Sequence, residues 1–278
     1  MRTARGARWR TLGALAVVAV FAAPLLVMVS GSLRQPGLPP PPSLELVPDP
    51  VVLSNYERAV ELVDLGRATL NSLLVAAIAV PLTVLVASWA GFALAQLPRR
   101  LAHAVVAASL VALMVPLTAM LVPRFALFRA LGLTDTFVPL VAPALVATSP
   151  LYVLVYFVAY RQLPRDLWDA CRLEGMTPLR TWRRVAMPLV RSVTAAVAAL
   201  SFVLTWSNFL DPLIYVYRKE LFTVPLALKS LAQLDPTNYP LLLAGAVMAT
   251  APVVVVFVVA QRWFLHEYRG PAWPERPF

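Results

Sequence analysis

The sequence is poor in the residues that support redox, metal or disulfide chemistry. It contains one cysteine, Cys171, and two histidines, His103 and His266, that lie far apart along the chain. A single cysteine excludes an internal disulfide, and a metal site needs a closer group of ligands. There is also no Gly-x-x-x-x-Gly-Lys-Ser/Thr phosphate-binding loop, since none of the ten glycines precedes a lysine. We therefore expect no metal site and no cofactor or nucleotide site in this chain.

Charged residues are also scarce. Of 278 residues, only 14% are charged and 60% are hydrophobic, and the mean hydropathy is +0.73. A water-soluble domain of this length cannot bury so much apolar surface. The apolar residues form continuous runs of about 20, which suits helices that cross a bilayer and not the alternating strands of a β-barrel. The composition therefore predicts an all-α integral membrane protein.

Six apolar runs are long enough to be transmembrane helices. They cover residues 12–30, 70–94, 105–122, 138–159, 193–216 and 241–260. The first run follows four arginines and has the outline of a signal peptide. It is longer than a typical apolar signal core, however, and no Ala-x-Ala site closes it. We interpret it as a retained first span.

The distribution of charge predicts the orientation of these spans. If the N-terminus is cytoplasmic, the inner segments hold sixteen basic and five acidic residues, and the outer segments hold eight and nine. The positive-inside rule then places both termini in the cytoplasm. This topology also explains the net charge of +10 without any nucleic acid partner.

The outer segment 32–69 contains a proline-rich stretch followed by a helix pattern. Ser54 and Glu57 have the spacing of a capping box. Apolar residues then recur at helical spacing at Tyr56, Ala59, Val60 and Val63. We expect a short amphipathic helix on the outer surface, packed on the ends of the spans. Within the second span, Ala87, Gly91 and Ala95 form a small-x-x-x-small series that favours close approach of another helix.

The longest cytoplasmic connection, residues 161–191, contains residues that are typical of the ends of two short helices. Pro164 suits the first position of a helix over 164–174, and Gly175 suits the left-handed conformation that ends it. Thr177 is expected to cap a second helix that starts at Pro178. In that helix, Leu179, Trp182, Val185 and Ala186 fall on one face, and Arg180, Arg183 and Arg184 fall on another.

This loop resembles the "EAA" loop of ABC importer permeases. Asp169 stands where the family usually has glutamate, Cys171 where it has the second alanine, and Glu174 where it has aspartate. The residues that carry the resemblance are Asp169, Ala170, Cys171, Glu174, Gly175, Met176, Trp182, Val185 and Pro188. Over nearly the whole chain, the sequence is most similar to the smaller permease subunit of the carbohydrate-importer group that includes the maltose system. The tail 268–278 does not resemble the small-residue tail of that group.

The resemblance implies a type I ABC importer permease fold, with 1–278 as a single permease domain. In such permeases the 161–191 loop forms a coupling helix that sits in a cleft of a cytoplasmic ATPase subunit. The implied partners are a second, homologous permease subunit, two ATPase subunits that bind ATP and Mg²⁺, and an extracytoplasmic substrate-binding protein. A sugar, such as a di- or oligosaccharide, an amino sugar or a glycerol phosphate ester, is the implied substrate.

Polar residues in the fifth span are candidates for the substrate pathway. Trp206, Asn208 and Asp211 interrupt an apolar run, and polar groups at membrane depth usually face a cavity or a partner helix. The simpler interpretation is packing of Trp206 and an interfacial position for Asp211. The outer segment 217–239 is a candidate docking surface for the binding protein.

Three alternative functions remain open at this point. An ion-coupled secondary carrier would use Asp211 as its coupling carboxylate, although two related halves are not evident. An intramembrane enzyme is disfavoured because its usual motifs are missing. The basic 161–191 loop would also suit a segment that rests on anionic membrane lipid.

Overall fold

The computed structural model describes residues 2–41, 47–146 and 149–267. Those residues form α-helices joined by short turns, and the described part of the chain contains no β-strand. The helices are α1 (Arg2–Ser32), α2 (Ser54–Val63), α3 (Leu65–Gln96), α4 (Arg99–Leu113), α5 (Leu121–Ala130), α6 (Val138–Val146), α7 (Pro150–Arg161), α8 (Arg165–Leu173), α9 (Pro178–Thr181), α10 (Met187–Leu189), α11 (Arg191–Trp206), α12 (Leu210–Tyr215), α13 (Val224–Leu234) and α14 (Tyr239–Glu267). The all-α prediction is confirmed.

Four stretches are long and apolar enough to cross a membrane, and two bent helix pairs raise the number to six. The four are Leu12–Ser32, Leu65–Gln96, Val138–Arg161 and Tyr239–Gln261. Each extends beyond the span predicted from its apolar run, because helices continue past the hydrocarbon core into the polar interface. Residues 147 and 148 of the predicted fourth span lie outside the described residues.

The predicted third span, 105–122, is not one continuous helix in the structure. Helix α4 ends at Leu113, and the chain then bends by 80° before it continues through a 3-10 turn, Leu117–Met120, into α5. Pro116 lies in the break with extended backbone angles. A proline has no amide hydrogen and disfavours helical geometry at the residue before it. The sequence therefore stays apolar through this segment although the helix is interrupted.

The predicted fifth span, 193–216, also consists of two helices. Helix α11 ends at Trp206 and α12 begins at Leu210, and a bend of 85° separates α11 from the helical segment that precedes it. Residues 207–209 break the span at the polar positions that the sequence singles out. Polar side chains compete for backbone hydrogen bonds, which disfavours a continuous helix there.

By Cα packing, the chain divides into two compact units, and helices α3 and α14 run from one into the other. The first unit contains Met1–Thr69 and Thr223–Pro252. In it, the Asn55 side chain donates hydrogen bonds to the backbone carbonyls of Ser32 and Arg34 at 2.9 and 2.8 Å. These are orphan carbonyls at the end of α1, so α2 caps the first span. The predicted short helix is confirmed, whereas its outer position stays a prediction; Ser54 is its first helical residue and makes no side-chain cap, so the capping box is wrong.

The second unit contains Leu70–Phe222 and Val253–Phe278. Its core is a cluster of small and aromatic residues from α3, α7 and the helices around Val190, which includes Ala87, Phe92 and Tyr156. At Gly91, an added Cβ would lie 2.6 Å from the Cβ of Tyr156 and 2.9 Å from a backbone oxygen of α7. The predicted small-residue series therefore does allow α3 and α7 to approach closely. The prediction of a single domain over 1–278 stays a prediction, and the tail 268–278 lies outside the described residues.

Candidate functional site: the 161–191 loop and an intramembrane polar cluster

The first helix of the 161–191 loop ends in a defined left-handed turn. Helix α8 starts at Arg165, with Pro164 in the cap position and not, as predicted, in the first helical position. At the other end, Gly175 has a φ of +65°. The amides of Gly175 and Met176 donate to the carbonyls of Arg172 and Cys171, both at 3.0 Å. This double hydrogen bond is the Schellman motif, and the predicted role of Gly175 is confirmed.

The second helical segment of the loop starts as predicted, but the residues that it buries differ from the predicted set. The Thr177 hydroxyl accepts a hydrogen bond from the amide of Arg180 at 3.4 Å, and Pro178 is the first helical residue. The next five residues, Trp182–Ala186, form a π-helical turn, which has more residues per turn than an α-helix. As a result, Thr181 is buried and Leu179 is 58% exposed, so the predicted apolar face is wrong at Leu179.

Aromatic side chains hold the 161–191 loop to the spans. The Trp182 ring lies edge-on to Trp89 of α3, with centroids 5.2 Å apart, and Trp168 lies 5.8 Å from Phe92. The hydroxyl of Tyr160 donates to the sulfur of Met187 at 3.3 Å. These contacts join both parts of the loop to α3 and α7.

The predicted loop residues divide between an inner and an outer side. Cys171 is buried, and Met176, Trp182 and Val185 are half-buried, whereas Asp169, Ala170, Glu174, Gly175 and Pro188 are exposed. The outer side also carries Leu173, which is 89% exposed, together with Leu179. Leu173 was missed by the sequence reasoning, although an apolar residue within a polar loop is a signal for docking. The ion pair between Arg172 and Asp169, at 3.2 Å, is exposed on both sides and contributes little to stability.

A second group of polar residues lies where the third and fifth spans break. Asp211 accepts a hydrogen bond from the Asn208 side chain at 2.9 Å and forms an ion pair with Arg124 at 3.3 Å. The amide of Asp211 in turn donates to the Asn208 side-chain oxygen at 3.3 Å. We call Arg124, Asn208 and Asp211 the polar cluster. Trp206, the other predicted pathway residue, is buried and stacks on Phe202 at 5.5 Å.

Arg124 is the member of the polar cluster that sequence reasoning missed. Its guanidinium lies 5.8 Å from the ring centre of Tyr215, and one of its terminal nitrogens, Nη2, is buried without a hydrogen-bond partner in the described part of the chain. The available signal was an arginine inside an otherwise apolar segment, since such a charge is costly unless it is paired or functional. The arrangement offers a cation, a carboxylate and an amide to a polar ligand.

A third set of contacts fixes the turn that follows α12. The Asp135 carboxylate accepts hydrogen bonds from the amides of Tyr217 and Arg218, both at 3.0 Å, and from the Arg218 guanidinium at 2.6 Å. The backbone hydrogen bonds from Arg218 and Tyr217 lower the pKa of Asp135. Asn71 holds the same turn by donating to the carbonyls of Glu220 and Phe222 at 2.8 and 3.0 Å.

The chain matches a known family over most of its length. The family model for the inner membrane component of binding-protein-dependent transport systems matches residues 66–269. The chain belongs to this family. The permease is 32% identical to the arabinooligosaccharides transport system permease protein AraQ of Bacillus subtilis, over 87% of its own length and 86% of the relative. It is 29% identical to the trehalose transport system permease protein SugB of Mycobacterium tuberculosis, over 94% and 95% of the two chains.

A solved structure supports the fold of the permease. It matches a chain in the crystal structure of a bacterial ABC transporter involved in the import of the acidic polysaccharide alginate, with a TM-score of 0.74 and 18% identity. The match covers 95% of this permease and 98% of that chain. The predicted type I importer permease fold is thereby confirmed, and the permease is a multi-pass membrane protein of an ABC transporter. The family and its relatives are subunits of binding-protein-dependent transport systems, which argues against the ion-coupled carrier alternative.

Proposed function

We propose that this permease imports a sugar delivered by a binding protein and is driven by ATP hydrolysis on separate subunits. The names of the relatives support a sugar: they include transport system permeases for arabinooligosaccharides, lactose and trehalose. The permease is not itself an enzyme in this proposal. ATP and Mg²⁺ bind to two partner ATPase subunits, and a second, homologous permease subunit completes the pathway.

The observation that carries this proposal is the two-sided 161–191 loop. Its inner side packs aromatic rings against α3 and contacts Tyr160 of α7 through Met187, and its outer side presents Leu173 and Leu179 beside Asp169 and Glu174. Exposed apolar anchors with nearby charges are typical of a docking site. We infer that the outer side sits on an ATPase subunit, and that closure of the ATPase pair moves the loop and the spans as one body.

The orientation and the outer contacts complete the proposal. Both termini and the 161–191 loop are cytoplasmic, as the excess of arginine in the inner segments supports. The segment 217–239 then lies outside, where the binding protein docks. Its first turn is held by Asp135 and Asn71, which favours a defined docking surface.

The polar cluster is the proposed contact with the transported sugar. Hydroxyl groups of a sugar both donate and accept hydrogen bonds, and Arg124, Asn208 and Asp211 provide matching partners. Trp206 is buried and stacks on Phe202, so its ring offers no exposed surface to a sugar in this structure. Breaks in membrane helices at a binding site are a recurrent feature of transporters, and Asn208 lies in the break between α11 and α12.

The experiment that tests the proposal is uptake of a panel of sugars in proteoliposomes that contain the permease, its partner permease, the ATPase and the binding protein. Gly175→Pro removes the left-handed turn after α8, because proline cannot adopt a positive φ. Gly132→Pro is a matched control. Gly132 has a φ of +68° and forms the same double hydrogen bond at the end of α5, on the opposite side of the membrane in this topology.

We expect ATP-dependent uptake that needs all components, and loss of uptake and of ATPase stimulation in Gly175→Pro. The Gly132→Pro variant should keep its ATPase subunits through detergent purification, whereas Gly175→Pro should lose them or bind them loosely. If both variants retained the ATPase and its stimulation equally, the 161–191 loop would not be the coupling element.

A further inference from the structure

A basic cavity opens beside the 161–191 loop, and Leu173 and Leu179 do not line it. It has a volume of about 1120 Å³ and lies between the ends of α3 and α7 and the starts of α4 and α8. Its basic lining residues are Arg99, His103, Arg161, Arg165 and Arg172. Only two acids line it, Asp166 and Asp169, and Asp169 is already paired with Arg172. The cavity therefore carries an excess of positive charge.

Three of these arginines are available to a ligand. Arg99, Arg161 and Arg165 form no ion pair with any residue that the structure describes, and the only recorded contact of the Arg161 guanidinium is with the ring of Phe157, at 5.5 Å. The starts of α4 and α8 border the same cavity, at Arg99 and Arg165. The first amides of a helix lack intrahelical acceptors and carry the positive end of the helix dipole. Guanidinium groups and free helix amides are both well suited to bind phosphate oxygens.

The position of the cavity favours a phosphate at the membrane surface. Helices α3 and α7 end here after long apolar stretches, which places the cavity where the hydrocarbon core gives way to headgroups. The cavity also has apolar lining residues, Ala95 of α3, Phe157 of α7, Leu163 of the turn after α7 and Trp168 of α8. Basic pockets between membrane helices are suited to acidic lipid headgroups. The volume also exceeds that of a lone phosphate and leaves room for a glycerol moiety.

We propose that this cavity binds a phosphate ester, presented by the headgroup of an anionic phospholipid. The ligand would lie between α3, α7 and α8, the three elements that the aromatic contacts already join. A bound lipid phosphate would therefore stiffen the connection between the 161–191 loop and the spans. This role goes beyond the proposed function and does not depend on which sugar is carried.

The test compares two triple variants in the purified transporter with its partner subunits. Arg99→Gln, Arg161→Gln and Arg165→Gln remove three cavity arginines. Arg180→Gln, Arg183→Gln and Arg184→Gln remove three exposed arginines of the same loop that do not line the cavity. Binding of short-chain phosphatidylglycerol is titrated by native mass spectrometry, with phosphatidylcholine as the zwitterionic reference, which has no net charge, and glycerol 3-phosphate as the soluble ester.

We expect phosphatidylglycerol to bind more tightly than phosphatidylcholine, and the cavity triple variant to lose on the order of a hundredfold in affinity, from about fivefold per arginine. The control triple variant should bind as the unmodified permease does. Asp166→Asn, which removes an acid from the lining, should tighten binding several-fold. If glycerol 3-phosphate binds as tightly and displaces the lipid, the natural source is a soluble ester; if it does not compete, the source is the lipid.

Two results would overturn the proposal. One is equal loss in both triple variants, which would indicate general attraction of a basic loop. The other is equal affinity for the two lipids, or no binding of either phosphatidylglycerol or glycerol 3-phosphate. Retention of the ATPase is recorded in the same samples. A transporter that keeps its ATPase but shows either result refutes only the phosphate site, whereas loss of the ATPase from the control variant bears on the proposed coupling.

Discussion

Arg124 and Asp211 form a charged pair in segments that are otherwise apolar. The side chains of Arg124 and Asp211 are 24% and 14% exposed, so both are largely removed from solvent. A charge in this setting is stabilised by its partner and by further hydrogen bonds, here from Asn208. Removing one partner is therefore more costly than removing both.

We predict that Arg124→Leu lowers the free energy of unfolding by roughly 2 kcal/mol, less than a fully buried pair would lose, because the pair keeps some solvent contact. The double variant Arg124→Leu with Asp211→Leu should recover most of that loss. Thermal unfolding in detergent measures both effects. Arg129→Leu, an exposed arginine on the same helix, is the control and should change little.

Uptake measurements on the same variants distinguish a structural role of the Arg124–Asp211 pair from a role in transport. If the polar cluster contacts the sugar, the double variant should be stable and assembled but should transport poorly. Normal uptake by a stable double variant would mean that the pair only holds α5 and α12 together, and the proposed pathway role would be wrong.

The lowered pKa of Asp135 predicts how the stability of the permease depends on pH. Its pKa is lowered in the folded protein by the amides of Arg218 and Tyr217, so its ionised form stabilises the turn. This contribution is complete above the ordinary aspartate pKa of about 3.9 and is lost as pH falls through the lower, folded pKa. Asn tolerates the positive φ of this position, 59°, so Asp135→Asn removes the charge with little backbone strain.

The expected result is a lower melting temperature for Asp135→Asn than for the unmodified permease between about pH 5 and 8. The difference should shrink below about pH 4, where the natural carboxylate becomes protonated. A difference that stayed constant down to pH 3 would show that the carboxylate charge does not stabilise the turn.

At the scale of helices, the contact between Trp89 and Trp182 connects α3 to the π turn of the 161–191 loop. Trp182 is half-buried, so its replacement by alanine should cost less than the roughly 3–5 kcal/mol of a fully buried tryptophan, and the aromatic pair adds about 0.5–1.5 kcal/mol beyond its buried area. We expect Trp182→Ala to loosen the loop and to raise hydrogen exchange across α8 and α9. Hydrogen exchange in α13 should be unchanged.

A double-mutant cycle with Trp89→Ala tests whether this contact is specific. A coupling energy of about 0.5–1.5 kcal/mol would support a direct connection. Additive effects of the two substitutions would mean that each ring packs independently, and that the loop is held mainly by Trp168 and Tyr160.

The elements that sequence could predict are those set by local chemistry. Gly175 and Thr177 mark the ends of their helices because a left-handed residue and a capping hydroxyl act within a few positions. Hydropathy placed the spans, but it could not place the bend at Pro116 within an apolar run. The π turn at Trp182–Ala186 depends on packing against α3, which no local pattern encodes. The Arg124–Asp211 pair was missed for the same reason, since it joins distant segments.

At the scale of the whole molecule, the proposed orientation follows from arginines alone and is open to direct measurement. The one cysteine makes this simple, because Cys171→Ala yields a chain without cysteine. Cys171 stands where the resembling family has alanine, so we expect that background to fold. Single cysteines are then introduced at Arg100, between the second and third spans, and at Lys219, after the fifth; both positions are exposed.

A membrane-impermeant maleimide should label Lys219→Cys in intact spheroplasts and Arg100→Cys only after permeabilisation. Leu173→Cys adds a test of docking, since this side chain is 89% exposed in the permease. It should react in permeabilised membranes that contain the permease without its ATPase and should be protected when the ATPase is co-expressed. The reverse labelling of Arg100 and Lys219 would invert the topology and place the 161–191 loop outside. The expected topology with an unprotected Leu173→Cys would instead keep the orientation but move the ATPase contact to another surface, because a docked apolar anchor is shielded from water.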